Sequence, residues 1–441
     1  MSIARKSILG IGGQIYILIV GLASTVILAR LLGPEGKGVL ALVAAISSFG
    51  VGAASFGLGP ALSYLSGKDR FSPRELISAA VVWSLLLGAA VGSATWAFRE
   101  PLLGSVLEGM TATDLAIALI ALPTYYVGAF TGALLAGEGR AVRVAFLQVA
   151  AATANIAAVI IASVTAPGDT SVVIIGVSLA SAFNATLALV VHRGGLTLSP
   201  GKIHGVTRSA LPYALKAYVG QATSMFFLRA DVFFLNYFAG PSVVGIYSVA
   251  TSIAEKLWML SNPVATAVFR NITSSERDDS LRITTLTARS LLVLNGVVGI
   301  GLLLVAVVLV PVIYGEPFAE ATIYLGLLIP GIVVFALCQP YGHFFAGQLG
   351  RPAVTSALSF AMMVLSAILY IVLIPRMGAV GAAIASSIAY SSALLGYAFL
   401  LPRAAKVSIR QMLVPTRADF ELYRSIAASG VSTITRRWKR G

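Results

Sequence analysis

The sequence predicts an all-α polytopic membrane protein of about twelve transmembrane helices, arranged as two six-helix pseudo-repeat lobes. Three observations predict it. Of the 441 residues, 58% are hydrophobic and 11% charged, against about 25% charged in soluble domains. Apolar runs long enough to cross a ~30 Å hydrocarbon core recur along the whole chain. Lysine and arginine gather in alternate loops, which gives each run a direction across the bilayer.

The first run, 8–30, follows Arg5 and Lys6. It exceeds the about 7–15 apolar residues of a signal peptide and more spans follow at once, so it reads as an uncleaved helix. Runs at 38–66, 76–98, 113–136, 142–165 and 171–191 complete the first half. The second half holds 209–238, 243–269, 286–313, 318–346, 353–374 and 378–401. None alternates with a period of two, and a backbone in lipid must pair within its own segment, so all are helices. The division expected is an N-terminal lobe (1–191), a cytoplasmic linker (192–208), a C-terminal lobe (209–401) and a basic tail (402–441). The linker carries Gly194-Gly195 and Ser199-Pro200-Gly201.

The halves echo each other. Gly33-Pro34, three residues and Gly38 match Gly240-Pro241, three residues and Gly245. Gly137-Glu138-Gly139-Arg140 after the fourth run resembles Gly347-Gln348-Leu349-Gly350-Arg351 after the tenth. Both matches lie about 210 residues apart, which argues for internal duplication. Six spans per half is even, so the halves relate as parallel repeats about an axis along the membrane normal.

Most of the 31 lysines and arginines fall at the N-terminus, in the loops after even-numbered runs and in the tail. The opposite side has only Arg30, Lys37, Arg99 and Arg376. Both termini are therefore expected in the cytoplasm. In a soluble protein the net charge of +14 would suggest nucleic acid; confined to loops and tail, it does not. The tail ends in Arg436-Arg437-Trp438-Lys439-Arg440, which suits an anionic leaflet. Leu413, Phe420, Leu422, Tyr423 and Ile426 suit a short interfacial helix, the alternative being a plain solvated tail. The single cysteine, Cys338, excludes an internal disulfide and a thiolate metal cluster. No phosphate loop, no His-Glu-x-x-His and no other hydrolase or transferase signature appears. The reading is a non-enzyme with no cofactor and no metal.

Five ionisable residues interrupt the seventh and eighth runs: Lys216, Arg229, Asp231, Glu255 and Lys256. A charge at bilayer depth costs at least ~2.5 kcal/mol, so such residues usually face a protein interior or a wet pathway. Asp231 with Lys256, or Arg229 with Glu255, are the pairings expected across the Gly240-Pro241 turn, since Arg229 and Asp231 diverge on one helix. Such a pair is either a static packing element or a carboxylate that carries a proton when its partner leaves. The second case predicts that Asp231→Asn and Glu255→Gln abolish transport.

Two stretches resemble the polysaccharide-synthesis group of the multidrug/oligosaccharidyl-lipid/polysaccharide exporter superfamily. One is Ala29-Arg30-Leu31-Leu32-Gly33-Pro34-Glu35-Gly36-Lys37-Gly38, with Gly57-Leu58-Gly59 beyond it. The other is Arg229-Ala230-Asp231-Val232-Phe233-Phe234-Leu235 with Val244-Gly245-Ile246-Tyr247-Ser248-Val249-Ala250. The resemblance implies two lobes around a central cavity, alternating access, and flipping of polyprenyl-pyrophosphate-linked oligosaccharides in a bacterial or archaeal cytoplasmic membrane. Its partners would be the lipid-linked oligosaccharide, membrane lipids and a polysaccharide polymerase or glycosyltransferase complex. For such a substrate, Lys216, Arg229 and Lys256 offer a ladder of cations to pyrophosphate. Arg30 is either a late pyrophosphate contact or an interface anchor, and Lys216 alternatively snorkels. Gln14 and Asn155 are the preferred sugar contacts, although mid-span amides also bond helix to helix. Asp231 and Glu255 are the ion-coupling candidates. Two other readings are a cation-coupled drug exporter of the same superfamily and a non-transporting scaffold for polysaccharide assembly.

Overall fold

The structure is a computed structural model that describes residues 3–405 except 69, 193, 194 and 198, together with 408–414, 416 and 419. The expectations for Phe420, Leu422, Tyr423, Ile426 and 436–440 lie outside those residues. Among the described residues the chain is helical without strands. The helices are α1 (Ile3–Gly52), α2 (Leu58–Ser66), α3 (Pro73–Ala97), α4 (Arg99–Leu103), α5 (Ala112–Ile120), α6 (Leu122–Gly137), α7 (Ala141–Thr165) and α8 (Thr170–His192). After them come α9 (Pro200–Ala254), α10 (Lys256–Ser274), α11 (Arg277–Tyr314), α12 (Ala321–His343), α13 (Pro352–Ala405) and α14 (Ile409–Leu413).

Among the described residues, 9 helical stretches are long and apolar enough to cross a membrane. Three helices are too long for one crossing. α1, α9 and α13 have 50, 55 and 54 residues, roughly 75–80 Å at ~1.5 Å per residue, more than twice the hydrocarbon thickness. Each contains one glycine with non-helical dihedrals: Gly33, Gly240 and Gly378, at φ 65°, 79° and 57°. Only glycine takes that conformation cheaply, and Pro34 and Pro241 pre-set the first turn of the helix beyond. We read each of these helices as two spans meeting at its glycine. Helix starts follow local chemistry. Ser72 and Glu75 close a reciprocal cap on α3, as Thr111 and Asp114 do on α5, which supplies partners to backbone N–H groups that a helix leaves open.

The chain forms two compact units. The first comprises residues 1–250, 307–324 and 363–385. Its core interlocks α2, α3, α6 and the start of α9 through Leu62, Leu65, Leu76, Trp83, Tyr126, Phe130, Ala210 and Ala214. Small residues set the spacing. Gly57, at φ 76°, ends the bend between α1 and α2, and a Cβ there would run into the Ala214 carbonyl of α9. A second close approach joins the duplicated turns. A side chain on Gly38 would overlap the Pro241 carbonyl, and one on Gly245 would overlap the Pro34 carbonyl. The repeated Gly-Pro-x-x-x-Gly pattern is thus a reciprocal seat, each repeat's glycine receiving the other repeat's proline carbonyl.

The second unit comprises residues 251–306, 325–362 and 386–441. Trp258, Phe335 and Tyr390 form a ring cluster with centroids 5.7–5.9 Å apart. Ser261 donates to Asn295 at 3.0 Å and Gln339 to Asn262 at 2.9 Å, so Asn295 and Gln339 bond helix to helix. The stretch after α13 docks on this unit. Arg289 holds the buried Asp419 carboxylate through Nε at 2.8 Å and Nη2 at 2.9 Å, and Tyr341 donates to the Met412 carbonyl at 3.0 Å. Along the part of α11 in this unit, Leu294, Val297, Ile300 and Leu304 are exposed, an apolar stripe at helical spacing that suits lipid.

Candidate functional site

The second half of α1 builds one wall of a cavity in the first unit. After the Gly33-Pro34 turn the helix presents Lys37, Leu40, Ala44, Ser47, Ser48 and Val51 to it, a stripe with helical spacing. Tyr125 and Ala129 of α6, Asn155 of α7, Ile174 and Val177 of α8, and Gln221 and Met225 of α9 close the space. Its volume is about 700 Å³, within the range of roughly 300–1,000 Å³ typical of ligand pockets.

Among the described residues Lys37 is the one charged side chain in this lining, and none of them there is a carboxylate. Among the described residues Lys37 forms no ion pair. An ammonium held in a protein-walled cavity favours an anionic occupant, because its loss of hydration is otherwise uncompensated. The rest of the lining is neutral and hydrogen-bonding. Gln221 donates to Ser55 at 3.1 Å, and its own buried Oε1 has no partner among the described residues. Asn155 also borders an adjoining space of about 180 Å³ with Thr124, Ser181 and Asn184. The Asn184 Oδ1 likewise lacks a partner among the described residues. One cation, several amides and hydroxyls, a tyrosine and apolar walls can receive a charged head group that carries hydroxyls.

The residues expected from sequence disperse. Asn155 lines the cavity. Lys216 lies in a separate cavity with Lys68 and Arg70. Arg30 donates Nε to the Ile313 carbonyl at 2.8 Å and Nη2 to the Val312 carbonyl, which satisfies the open C-terminal end of α11. Arg30 thereby ties α1 to the end of α11. Gln14 donates to Gln148 at 3.3 Å on an exposed face. Asp231 is buried on α9 and accepts from the fully buried Tyr247 at 2.9 Å. Tyr247 stands on the returning half of α9, beyond the Gly240 turn. Arg229 is half-buried on α9, and Glu255 and Lys256, both half-buried, sit where α9 gives way to α10.

Lys37 stands outside the residues expected from sequence, where it reads as a loop cation on the outer side. Its signal was present: Pro34 starts a helix, so Lys37 already stands on that helix's first turn and in register with Ala44, Ser48 and Val51.

Residues 27–323 match the model of a family described as polysaccharide biosynthesis protein. A putative O-antigen transporter of Escherichia coli (strain K12) is 28% identical over 159 residues, 35% of this chain and 38% of that relative's length. A probable low-salt glycan biosynthesis flippase of Haloferax volcanii is 24% identical over 397 residues, covering 89% of this chain and 82% of the relative. Among solved structures, the lipid II flippase MurJ in an inward closed conformation superposes with a TM-score of 0.70 at 15% identity, over 92% of this chain and 89% of that one. That likeness speaks for the fold.

Proposed function

The chain belongs to the polysaccharide biosynthesis protein family, and on that premise we propose that it flips an anionic polyprenyl-pyrophosphate-linked oligosaccharide from the cytoplasmic to the outer leaflet by alternating access. Its relatives are named as transporters and flippases, and it is a multi-pass membrane transporter rather than an enzyme. The observation that carries the substrate class is the cavity whose lining, among the described residues, has Lys37 as its lone charge and no carboxylate. Pyrophosphate would meet Lys37, and sugar hydroxyls would meet Asn155 and Gln221. A drug exporter for organic cations needs the reverse polarity, a carboxylate facing the cavity.

Cytoplasmic termini, the two-lobe division and a bacterial or archaeal cytoplasmic membrane belong to this reading and rest on the positive-inside bias and the internal repeat. Of the other sequence candidates, Lys216, Arg229 and Lys256 remain cationic positions along α9 and α10, and Asp231 and Glu255 remain coupling candidates. A polymerase or glycosyltransferase complex is the assembly in which a flippase of this kind would work.

The test is reconstitution into liposomes with a fluorescent polyprenyl-pyrophosphate oligosaccharide, beside a fluorescent organic cation. Protein-dependent flipping of the lipid with no cation efflux is expected. Cation efflux with no lipid flipping overturns the substrate class. Neither activity, alongside export lost from cells lacking the protein, favours the scaffold reading.

A further inference from the structure

A second cavity in the first unit lies apart from Lys37 and is more strongly basic. The end of α2 and the turn after it supply Tyr64, Lys68 and Arg70; the early part of α9 supplies Ser209, Tyr213 and Lys216. Its volume is about 440 Å³. Three cations converge on it, and among the described residues its lining contains no carboxylate and none of the three forms an ion pair. Asp69, next to Lys68 in sequence, lies outside those residues. Like charges gathered in one concavity repel unless an anion fills it. Snorkelling cations at a membrane interface ordinarily spread along the surface. Here they border a fixed platform instead. The Tyr64 and Tyr213 rings stack with centroids 4.5 Å apart at 9°, and Lys68 Nζ stands 5.3 Å from the Tyr64 centroid.

The basic cavity is also in line with the first. Between them is a space of about 270 Å³ that includes Ser55, Ser63 and Gln221. Gln221 borders the Lys37 cavity as well, and Ser63 precedes Tyr64 of the basic one. From Tyr213 to Met225 the path follows α9 for about twelve residues, ~18 Å. The space between the three cations and Lys37 is thus uncharged, with Ser55, Ser63 and Gln221 set among apolar residues such as Pro60, Phe130 and Ala133.

We propose that Lys68, Arg70 and Lys216, over the Tyr64–Tyr213 stack, form a loading site that captures the pyrophosphate of the lipid-linked substrate before it passes to Lys37. This rests on the flippase reading and names an earlier step of it. An arginine fork and two lysine point charges suit a pyrophosphate with several free oxygens. The single ammonium beyond it binds less tightly, so a head group that has moved on to Lys37 is released from there more readily.

The test uses the full chain in zwitterionic nanodiscs, with farnesyl pyrophosphate as the probe and farnesol as the uncharged control. Wild type should bind the pyrophosphate and not farnesol. Lys68→Gln, Arg70→Gln and Lys216→Gln combined should weaken binding at least about thirtyfold, the loss of several charge-assisted contacts. Lys68→Arg with Lys216→Arg should retain it. In the flipping assay the Gln triple should raise the half-saturating substrate concentration, whereas Lys37→Ala should lower the maximal rate. Unchanged pyrophosphate affinity in a monodisperse triple variant overturns the site even if wild type flips lipid. Competition by phosphatidylglycerol as effective as unlabelled pyrophosphate also overturns it, because the pocket is then an anchor for bulk anionic lipid. Pyrophosphate binding that depends on the three cations, in a protein that flips nothing, upholds the site while the transport reading fails.

Discussion

Lys37 earns its role from three neighbours in sequence. Gly33 turns the chain, Pro34 restarts the helix, and the lysine then points into the cavity from the first turn. Replacing it with alanine removes a charge-assisted contact of about 1.5–3 kcal/mol. Transport of the lipid-linked anion should fall about ten- to a hundredfold, measured as initial flipping rate at equal reconstituted protein. A different single residue governs the end of the chain. Burial alone would push the Asp419 carboxyl up, but the Thr416 N–H and the Arg289 guanidinium outweigh it and hold the group below the usual carboxylate range. A carboxyl depressed in the docked state stabilises docking above its ordinary pKa, and that contribution is lost as pH falls through the depressed value. Protection from hydrogen exchange over 408–414, relative to the intrinsic rate at each pH, should therefore stay high at neutral pH and fall only in acid. Arg289→Ala should lower it at neutral pH, since stranding a buried carboxylate costs about 3–5 kcal/mol. Slow exchange in that variant would mean that Tyr341 and apolar packing alone hold the segment. Asp231 illustrates what residue type could not reveal. Its burial was legible from the apolar run around it, but its partner depended on helical register across a turn.

Among the elements, the duplicated turns give the most. Their Gly-Pro-x-x-x-Gly spacing was visible as a repeat, and the local reasons for glycine and proline were visible too. That Gly38 and Gly245 each seat the other repeat's proline carbonyl was not, because a close approach between distant segments leaves no periodicity in either. Alanine at Gly38 or Gly245 should force the two turns apart at a cost of about 1–3 kcal/mol, the range for overpacking. Transport should drop in either variant while membrane insertion persists. The double variant should be little worse than either single one, because both disrupt the same pair of contacts. Full additivity, read from flipping rates, would show the two glycines acting independently. At Gly57 the structure combines a bend and a close approach, with a positive φ and the Ala214 carbonyl against it.

For the whole molecule, composition and hydropathy were enough to predict an all-helical, multi-span membrane protein, and the motifs around Gly33 and Arg229 pointed to the family. Apolar runs register with the bilayer, a constraint that acts on every residue of a span and so repeats along the chain. A cavity obeys no such rule. Its lining is drawn from α1, α6, α7, α8 and α9, and only their folding together shows that a cation thought to be in a loop faces inward. The candidate site was therefore legible only in part: Asn155 lines the cavity, while Lys216 lies in the basic one. The central claim is that a positive charge at position 37 receives the anion. Its most direct test is the flipping rate of a pyrophosphate-linked oligosaccharide in proteoliposomes containing wild type, Lys37→Arg or Lys37→Glu. Retained flipping with arginine and loss with glutamate, in equally folded proteins, is the predicted result; flipping by the glutamate variant at the wild-type rate would contradict it.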